Sequence, residues 1–246
     1  MVFLLSLPFS GCSGLGCIVA DTASASLRDT CRVGARGVEL RARRQGGPIG
    51  HCPRQPGEAS VRTLVITQNI TVDGSIEMLG DWFDPQGQAK EENSDLLEEL
   101  HHQDSQADGF LAGRRTFEAL RAYWPDLSDD PTGISDYLNR VQKYVVSSTM
   151  IDPQWQNSTV LSGDPLEEVR GLKAKPGRDI VVTGSITLCH TLIEAGLVDE
   201  YRLFFYPAVQ GRGRRLFPDG FECPALRLLE AKVFRSGITY SRYAAS

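Results

Sequence analysis

The sequence lacks the motifs of several common catalytic and binding sites. Its six cysteines form no C-x-x-C pair, and no H-x-E is matched by P-C-x-x-C, so we predict no metal site and no zinc deaminase. A G-x-G-x-x-G fingerprint is also missing. Gly211-Arg212-Gly213 follows an apolar run, but the residues after it do not open a helix, which excludes the usual Rossmann arrangement.

Basic charge and long apolar runs are scarce as well. The 246 residues carry a net charge of −5, which gives no electrostatic reason to expect a nucleic-acid partner. The apolar stretch from 1 to 20 is interrupted by Pro8 and three glycines, so it makes a poor membrane helix. We therefore expect a cytoplasmic protein with no membrane or nucleic-acid partner.

Residues 1–60 differ in composition from the rest of the chain. They hold four of the six cysteines, are rich in Arg, Gly, Ser and Pro, and show neither a helical nor a strand period beyond residue 20. We expect this segment to be disordered, or the true start to lie near Val61. A signal peptide is the alternative, but the segment lacks a positive n-region.

From Val61 onward, strand and helix patterns alternate. This predicts an α/β fold: a three-layer αβα sandwich with a mostly parallel central sheet and a C-terminal antiparallel hairpin. Two helix starts carry capping signals. Asp95 and Glu98 have capping-box spacing, and Asp164 is predicted to cap a helix with Pro165 at its first position and Glu167 completing the box.

A first candidate site lies in "ADGFLAGRRTFEALRAYW", residues 107–124. A buried strand ends at Gly113, and Phe117, Leu120 and Trp124 then fall on one helical face. The residues between are Gly113, Arg114, Arg115 and Thr116. A helix start offers free N–H groups and a positive dipole end, and arginines fit phosphate oxygens, so this segment is a candidate phosphate site. The alternative is that both arginines are solvated.

A second candidate site repeats this arrangement in "IVVTGSITLCHTL". An apolar strand ends at Gly184, and a helix opens over Ser185, Ile186 and Thr187. Glycine and serine are also ordinary turn residues, so this signal alone is weak. Two such sites at the carboxyl edge of one parallel sheet are more informative, because a dinucleotide carries phosphates in more than one place.

These motifs, in this order, resemble a known family. From Val61 to the C-terminus, "ITVDG", "LAGRRTFEALRAYWP", "KYVVSST", "VVTGSITLCHTLIEAGLVDEYRLFFYPAVQGRGRRLF" and the final hairpin are similar to the dihydrofolate reductase-like superfamily. The chain most resembles stand-alone bacterial proteins akin to the reductase domain of the riboflavin-biosynthesis deaminase-reductase. No deaminase domain is present in the given sequence, and Ser185 stands where many relatives have a second glycine.

The resemblance implies an NADPH-dependent reductase with a single reductase domain over 61–246. By carry-over, Gly113, Arg114, Arg115 and Thr116 would hold the 2′-phosphate and pyrophosphate. The pyrophosphate would also contact Gly184, Ser185, Ile186 and Thr187, and the adenosine side would be lined by Ser147 and Ser148. Asp73, at the end of the first strand, and Asp95, where folate reductases place a substrate-binding carboxylate, are the candidate catalytic acids; a turn aspartate and a helix cap are the alternatives.

Three functions stay open at this point. The first is an NADPH-dependent reductase of a small pteridine- or pyrimidine-like substrate. The second is the riboflavin-pathway reductase that acts on a phosphoribosylamino-pyrimidine, for which Arg212, Arg214 and Arg215 are the spare basic residues. The third is a non-catalytic nucleotide-binding module. We also predict a homodimer through the C-terminal region, from the apolar run 203–206 and the habit of the superfamily.

Overall fold

The computed structural model describes residues 62–84, 91–127, 129–223 and 225–245. The prediction of disorder or a later start for residues 1–60 therefore lies outside the described residues. The secondary structure runs as follows: β1 (Leu64–Thr71), a 3₁₀ turn (Glu91–Asn93), α1 (Ser94–Gln106), β2 (Ala107–Gly113), α2 (Arg114–Tyr123), α3 (Ile134–Arg140), β3 (Gln142–Val146), β4 (Ser158–Leu161), α4 (Pro165–Lys173), β5 (Asp179–Val182), α5 (Ile186–Glu194), β6 (Glu200–Tyr206), β7 (Arg227–Val233) and β8 (Thr239–Ala244).

The strands form one eight-stranded sheet in the order β4-β3-β2-β5-β1-β6-β8-β7. The first six in this order pair in parallel, and β8 and β7 then add as an antiparallel pair. All eight residues of β1 are buried because the strand lies inside the sheet and is covered on both faces. The predicted α/β fold with a C-terminal hairpin is confirmed.

The core is divided by the sheet into two apolar clusters. One contains side chains of α1, α2 and α3, such as Leu96, Phe117 and Leu138. The other contains side chains of α4 and α5, such as Val169 and Leu192. Alternate residues of each inner strand enter opposite clusters, as expected for a strand with helices on both faces. The predicted three-layer sandwich is therefore confirmed.

One helix differs from the sequence-based expectations. The helix α3 was missed, although Ile134, Tyr137, Leu138 and Val141 have helical spacing and are all buried. Its start is fixed by Asp130, whose carboxylate accepts the Ser135 amide at 2.8 Å. The helix is only seven residues long, so its period is short and easily overlooked.

Both predicted capping boxes were wrong in part. The residue before α1 is Asn93, and Asp95 lies inside the helix, where its carboxylate binds the amides of Leu96 and Arg235 instead of closing a box with Glu98. At α4 the cap on Asp164 and the position of Pro165 are confirmed.

The α4 box is nonetheless not closed by Glu167. That side chain pairs with Arg170, and Glu168 accepts the Gly163 amide instead.

No helix within the described residues is both long and apolar enough to cross a membrane.

Candidate functional site

The candidate residues lie along one edge of the sheet. The strands β1, β2, β3 and β5 are parallel, so their carboxyl ends meet at the same edge. The segments that follow these ends are Thr71–Asp73, Gly113–Thr116, Ser147–Ser148 and Gly184–Thr187. The predicted grouping of these segments on one edge is confirmed, and in open α/β sheets this is the edge where ligands bind.

The two predicted phosphate segments are hydrogen-bonded to each other. The Gly113 amide donates to the Ser185 hydroxyl at 3.0 Å, and the Ser185 amide donates to the Thr116 hydroxyl at 3.1 Å. Thr116 and Ser185 are almost completely buried. Because β2 and β5 are neighbours in the sheet, this reciprocal pair of bonds fixes the starts of α2 and α5 side by side.

Both of these helix starts are open to an anion. Gly113 and Ser185 are the N-cap residues of α2 and α5, and among the described residues neither helix has a side-chain cap or an acidic residue in its first turn. The amides of the first turn are thus available, and the helix dipoles place partial positive charge there. The arrangement can hold two neighbouring phosphate groups.

The backbone of Ser185 is unusual for a side chain other than glycine. Its φ and ψ are 48° and 45°, in the left-handed region, directly after Gly184 at φ 58°. This conformation costs a non-glycine residue about 1–2 kcal/mol. The two hydrogen bonds with Gly113 and Thr116 offset that cost. A glycine here would avoid the backbone strain, but only the serine hydroxyl can accept the Gly113 amide and so link the two helix starts.

A glutamine of β1 that was not predicted as a site residue supports the turn at Gly184 and Ser185. The buried Gln68 of β1 donates to the Gly184 carbonyl at 3.0 Å and accepts from the Gly184 amide at 3.3 Å. The Cys189 thiol of α5 also donates to this carbonyl, at 3.2 Å. Gln68 has polar neighbours on both sides in a strand that is half polar, so the sequence pattern gave no signal that singled it out.

The arginines of the first segment are on the surface. Arg114 contacts Glu118 at 3.2 Å, with 45% and 39% of the two side chains exposed. An exposed i,i+4 ion pair contributes only about 0.3–0.5 kcal/mol, so a phosphate can compete for this guanidinium. Arg115 is exposed and makes no ion pair with any residue in the described ranges.

The two serines after β3 have different environments. The Ser147 hydroxyl is buried and accepts the amides of Thr149 at 3.3 Å and Met150 at 3.0 Å. Ser148 is exposed. Ser147 therefore shapes the turn, and Ser148 is the serine whose side chain faces solvent at this position.

The candidate catalytic acid Asp73 binds main-chain amides of the loop that follows β6. Its two carboxylate oxygens accept the amides of Gln210 at 3.1 Å and Gly211 at 2.6 Å. A hydrogen bond from Thr71, followed by these amides, lowers the pKa of Asp73 from its usual 3.8 to about 2. A carboxyl with this pKa is ionised at neutral pH, so it does not store a proton for a substrate.

Asp95 is also stabilised as an anion. The amide of Arg235, in the turn between β7 and β8, donates to its carboxylate at 3.0 Å and is the main reason why the pKa of Asp95 is lowered. The guanidinium Nε of Arg235 lies 3.6 Å from the same carboxylate. Asp95 links α1 to the hairpin at the same edge of the sheet, where it can orient a ligand but carries no proton at neutral pH.

The loops that follow β1 and β6 are joined by a second set of contacts. Glu77 accepts the main-chain amide of Arg214 at 3.1 Å and its guanidinium at 2.6 and 3.0 Å, and these bonds lower the pKa of Glu77. Gln210 donates to the Ser75 hydroxyl at 2.8 Å and accepts the Trp82 indole N–H at 2.8 Å. Gln210 was not predicted from the sequence, because its role depends on contacts with residues far away along the chain.

Three aromatic side chains lie beside these loops. Trp82 packs edge-on against Tyr206, with ring centroids 5.4 Å apart, and Phe83 does so at 5.7 Å. Trp82 is half-buried, whereas Phe83, Tyr206 and Trp124 belong to the apolar core. Trp82, packed on the buried rings of Phe83 and Tyr206, is therefore the aromatic side chain with exposed surface at the end of the edge where β1 and β6 terminate.

Comparison with known proteins identifies the family. A model of the RibD C-terminal domain matches residues 62–240. The chain belongs to the RibD C-terminal domain family. The uncharacterised protein YyaP of Bacillus subtilis is 33% identical over 191 residues, which cover 74% of this chain and 94% of YyaP. The relationship predicted from the sequence is confirmed.

Solved structures support the same fold for this RibD C-terminal domain. A pyrimidine reductase-like protein from Corynebacterium diphtheriae is 17% identical, with a TM-score of 0.52, and 76% of this chain and 93% of that chain are covered. A diaminohydroxyphosphoribosylaminopyrimidine deaminase/5-amino-6-(5-phosphoribosylamino)uracil reductase from Thermotoga maritima is 14% identical, with a TM-score of 0.53. The comparison covers 75% of this chain but only 57% of the Thermotoga protein.

Proposed function

We propose that this RibD C-terminal domain protein is an NADPH-dependent reductase that transfers a hydride to a small heterocycle of the pteridine or pyrimidine type. The observation that carries the proposal is the reciprocal pair of hydrogen bonds between the Gly113–Thr116 and Gly184–Thr187 segments. It joins two uncapped helix starts into one site for adjacent phosphates, and a dinucleotide supplies such phosphates. The family relationship supports the same conclusion.

The proposed cofactor fits the residues at this edge. Arg114 and Arg115 would hold the 2′-phosphate, the open starts of α2 and α5 would hold the pyrophosphate, and Ser148 beside Ser147 would line the adenosine side. The cofactor itself would supply the hydride. Trp82, which is half-buried and packs against the buried rings of Phe83 and Tyr206, would provide an apolar surface for a flat substrate ring.

The lowered pKa values of Asp73 and Asp95 limit the chemistry of the proton. Since both carboxylates are ionised at neutral pH, a proton needed by the reduced substrate would come from water and not from these residues. In the proposed enzyme Asp73 positions the loop after β6, and Asp95 is available to accept hydrogen bonds from a heterocyclic N–H.

A phosphorylated substrate, as in the riboflavin-pathway reaction, has less support. It requires basic side chains beyond those assigned to the cofactor, and Arg214 is already neutralised by Glu77. Arg212 donates to the Leu79 carbonyl. Of the three spare arginines, Arg215 alone has a guanidinium without a hydrogen bond or ion pair to the described residues, so we rank an unphosphorylated substrate first.

The decisive experiment is a titration of the purified full chain with NADPH and NADH, followed by fluorescence of the reduced nicotinamide. We expect tighter binding of NADPH, and Arg114→Ala should weaken NADPH by about 10- to 100-fold while leaving NADH nearly unchanged, because charge-assisted hydrogen bonds contribute about 1.5–3 kcal/mol. Higher salt should reduce the preference. Arg115→Ala is the matched control with the smaller expected effect.

Three outcomes would count against parts of the proposal. If Arg114→Ala weakens both cofactors equally, Arg114 is structural and the 2′-phosphate assignment is wrong. If the wild-type chain binds neither cofactor, the reductase proposal fails. Tight binding of NADPH without oxidation by any pteridine or pyrimidine in a substrate screen at the nicotinamide absorbance band would favour a non-catalytic nucleotide-binding module.

A further inference from the structure

The side chain of Gln210 joins the loop that follows β6 to the loop that follows β1. Its Oε1 accepts the Trp82 indole N–H at 2.8 Å and the Leu79 amide at 3.1 Å. Its Nε2 donates to the Ser75 hydroxyl at 2.8 Å and to the Glu77 carbonyl at 2.9 Å. An indole N–H can only donate and a carbonyl can only accept, so these partners fix which end of the Gln210 amide faces which group. One side chain thus binds the neighbouring loop at four points.

The main chain around Gln210 has a shape that allows these contacts. The Gln210 amide donates to the Asp73 carboxylate at 3.1 Å, so the residue is held by its main chain as well as by its side chain. Gly213 follows in the same loop at φ 103°, in the left-handed region. A Cβ on Gly213 would collide with the Ser75 hydroxyl and with the side-chain amide of Gln210. The loop therefore needs a glycine at this position to close around the Gln210 amide.

The hydrogen bond between Gln210 and Trp82 fixes the orientation of a half-buried ring. Trp82 packs against Tyr206 and Phe83, with ring centroids 5.4 and 6.0 Å apart. Apolar contacts of this kind are not directional, so by themselves they allow the indole to tilt and slide. A hydrogen bond is directional, and the one from the indole N–H to Gln210 therefore selects one orientation of the ring. Water could satisfy an indole N–H at the surface equally well, but it would not hold the ring in place.

We propose that Gln210 is a positioning residue for the substrate, which holds Trp82 in the orientation that stacks on a flat heterocyclic ring. This role rests on the proposed function, in which Trp82 provides the apolar surface of the substrate site. Gln210 acts through Trp82, since its own amide is occupied by the loop that follows β1. Fixing a side chain before the ligand arrives removes an entropic cost of binding, so the held indole binds a flat ring more tightly than a mobile indole would.

Quenching of tryptophan fluorescence by acrylamide tests the position of Trp82 in the full chain without any ligand. The chain has three tryptophans, and Trp124 and Trp155 are only 2% and 8% exposed, so acrylamide reports mainly on Trp82. Gln210→Met keeps the length of the side chain and removes its hydrogen bonds. It should increase the quenching and shift the emission to longer wavelength, because the freed indole becomes more exposed. Gln106→Met, the same exchange at the end of α1, is the matched control and should change neither quantity.

Binding of pterin, a flat heterocycle of the proposed substrate class, tests the effect on the substrate site. It is measured by calorimetry on the full chain saturated with NADP⁺. Gln210→Met should weaken pterin binding by about 3- to 10-fold, the cost of ordering one side chain on binding, and leave NADPH affinity unchanged. Trp82→Phe keeps an aromatic ring but has no N–H, so it should also weaken pterin binding. Adding Gln210→Met to Trp82→Phe should then have little further effect.

The outcomes distinguish failure of this role from failure of the proposed function. Thermal melting of each variant verifies that it is folded. Unchanged quenching or unchanged pterin affinity in Gln210→Met, or wild-type pterin affinity in Trp82→Phe, would overturn the positioning role and leave the reductase proposal intact. Equal weakening of pterin and NADPH, or fully additive effects of the two substitutions, would mean that Gln210 is only structural. A wild-type chain that binds NADPH but not pterin would overturn the role of Trp82 and Gln210, and one that binds neither would overturn the proposed function as well.

Discussion

The start of α4 is capped by its own side chains, whereas the starts of α2 and α5 are not capped by any side chain in the described ranges. At α4, the Asp164 carboxylate accepts the amides of Leu166 and Glu167, both at 3.0 Å, Pro165 removes a further donor, and two glutamates lie in the first turn. At α2 and α5 none of these devices is present among the described residues. The hydroxyl of Ser185, which could cap α5, instead accepts the Gly113 amide across the sheet.

The difference supports the proposal that the starts of α2 and α5 bind the cofactor. A helix start that is capped by its own side chains gains stability and has no remaining affinity for an anion. A start that is left open loses about 1 kcal/mol of capping energy and keeps its amides for phosphate. The position of the proposed cofactor site thus follows from where the chain omits ordinary stabilising residues.

The largest expected effect comes from giving α5 the acidic residue that α4 has. Thr187 is exposed in the first turn of α5, so Thr187→Asp should fold normally and stabilise the helix by about 0.3–1 kcal/mol through the dipole. NADPH binding should weaken by about 10- to 30-fold, because a carboxylate at this helix start would repel the pyrophosphate by up to ~2 kcal/mol. Cofactor titration and thermal melting measure the two effects.

The neutral variant Thr187→Asn is the control for this prediction. It has nearly the same shape as the aspartate, so binding should stay close to that of wild type. Equal weakening by both variants would mean that shape and not charge is responsible, and the open start of α5 would then not be a phosphate site.

Removing the cap of α4 should lower stability and leave NADPH affinity unchanged. Asp164→Ala leaves the amides of Leu166 and Glu167 without their acceptor and should lower the free energy of unfolding by about 1 kcal/mol. Denaturant unfolding measures this loss. NADPH affinity should not change, and a clear change in affinity would show that α4 belongs to the ligand site and that the contrast with α2 and α5 is false.

A last prediction concerns the left-handed serine that joins the two open starts, and its decisive quantity is a difference between two variants. Ser185→Ala loses the acceptor of the Gly113 amide but keeps the strained backbone, so it should destabilise the protein by about 1–2 kcal/mol. Ser185→Gly loses the same bond but removes the strain, and it should be more stable than the alanine variant by about 1 kcal/mol. Denaturant unfolding of the two variants measures this difference. A glycine variant less stable than alanine, as is usual elsewhere in proteins, would contradict the assigned backbone strain.

The sequence was most informative where local pattern and position coincide. The strand end at Gly113 and the helical face of Phe117, Leu120 and Trp124 were confirmed, since periodicity reflects burial directly. The cap on Asp164 was confirmed because capping involves residues two and three positions away. The box expected from Asp95 was wrong, because the amide of Arg235, 140 positions along the chain, competes for the same carboxylate.

The sequence by itself indicated the layers of the fold, the edge that carries the candidate site and the two segments at that edge, because alternating strand and helix patterns imply parallel pairing with helices on both faces. Only the tertiary structure decided that Ser185 links these segments, that Gln68 and Gln210 support the neighbouring turns, and that β7 is left at the edge. Strand order and long-range hydrogen bonds depend on which parts of the chain become neighbours, and no local period records that choice.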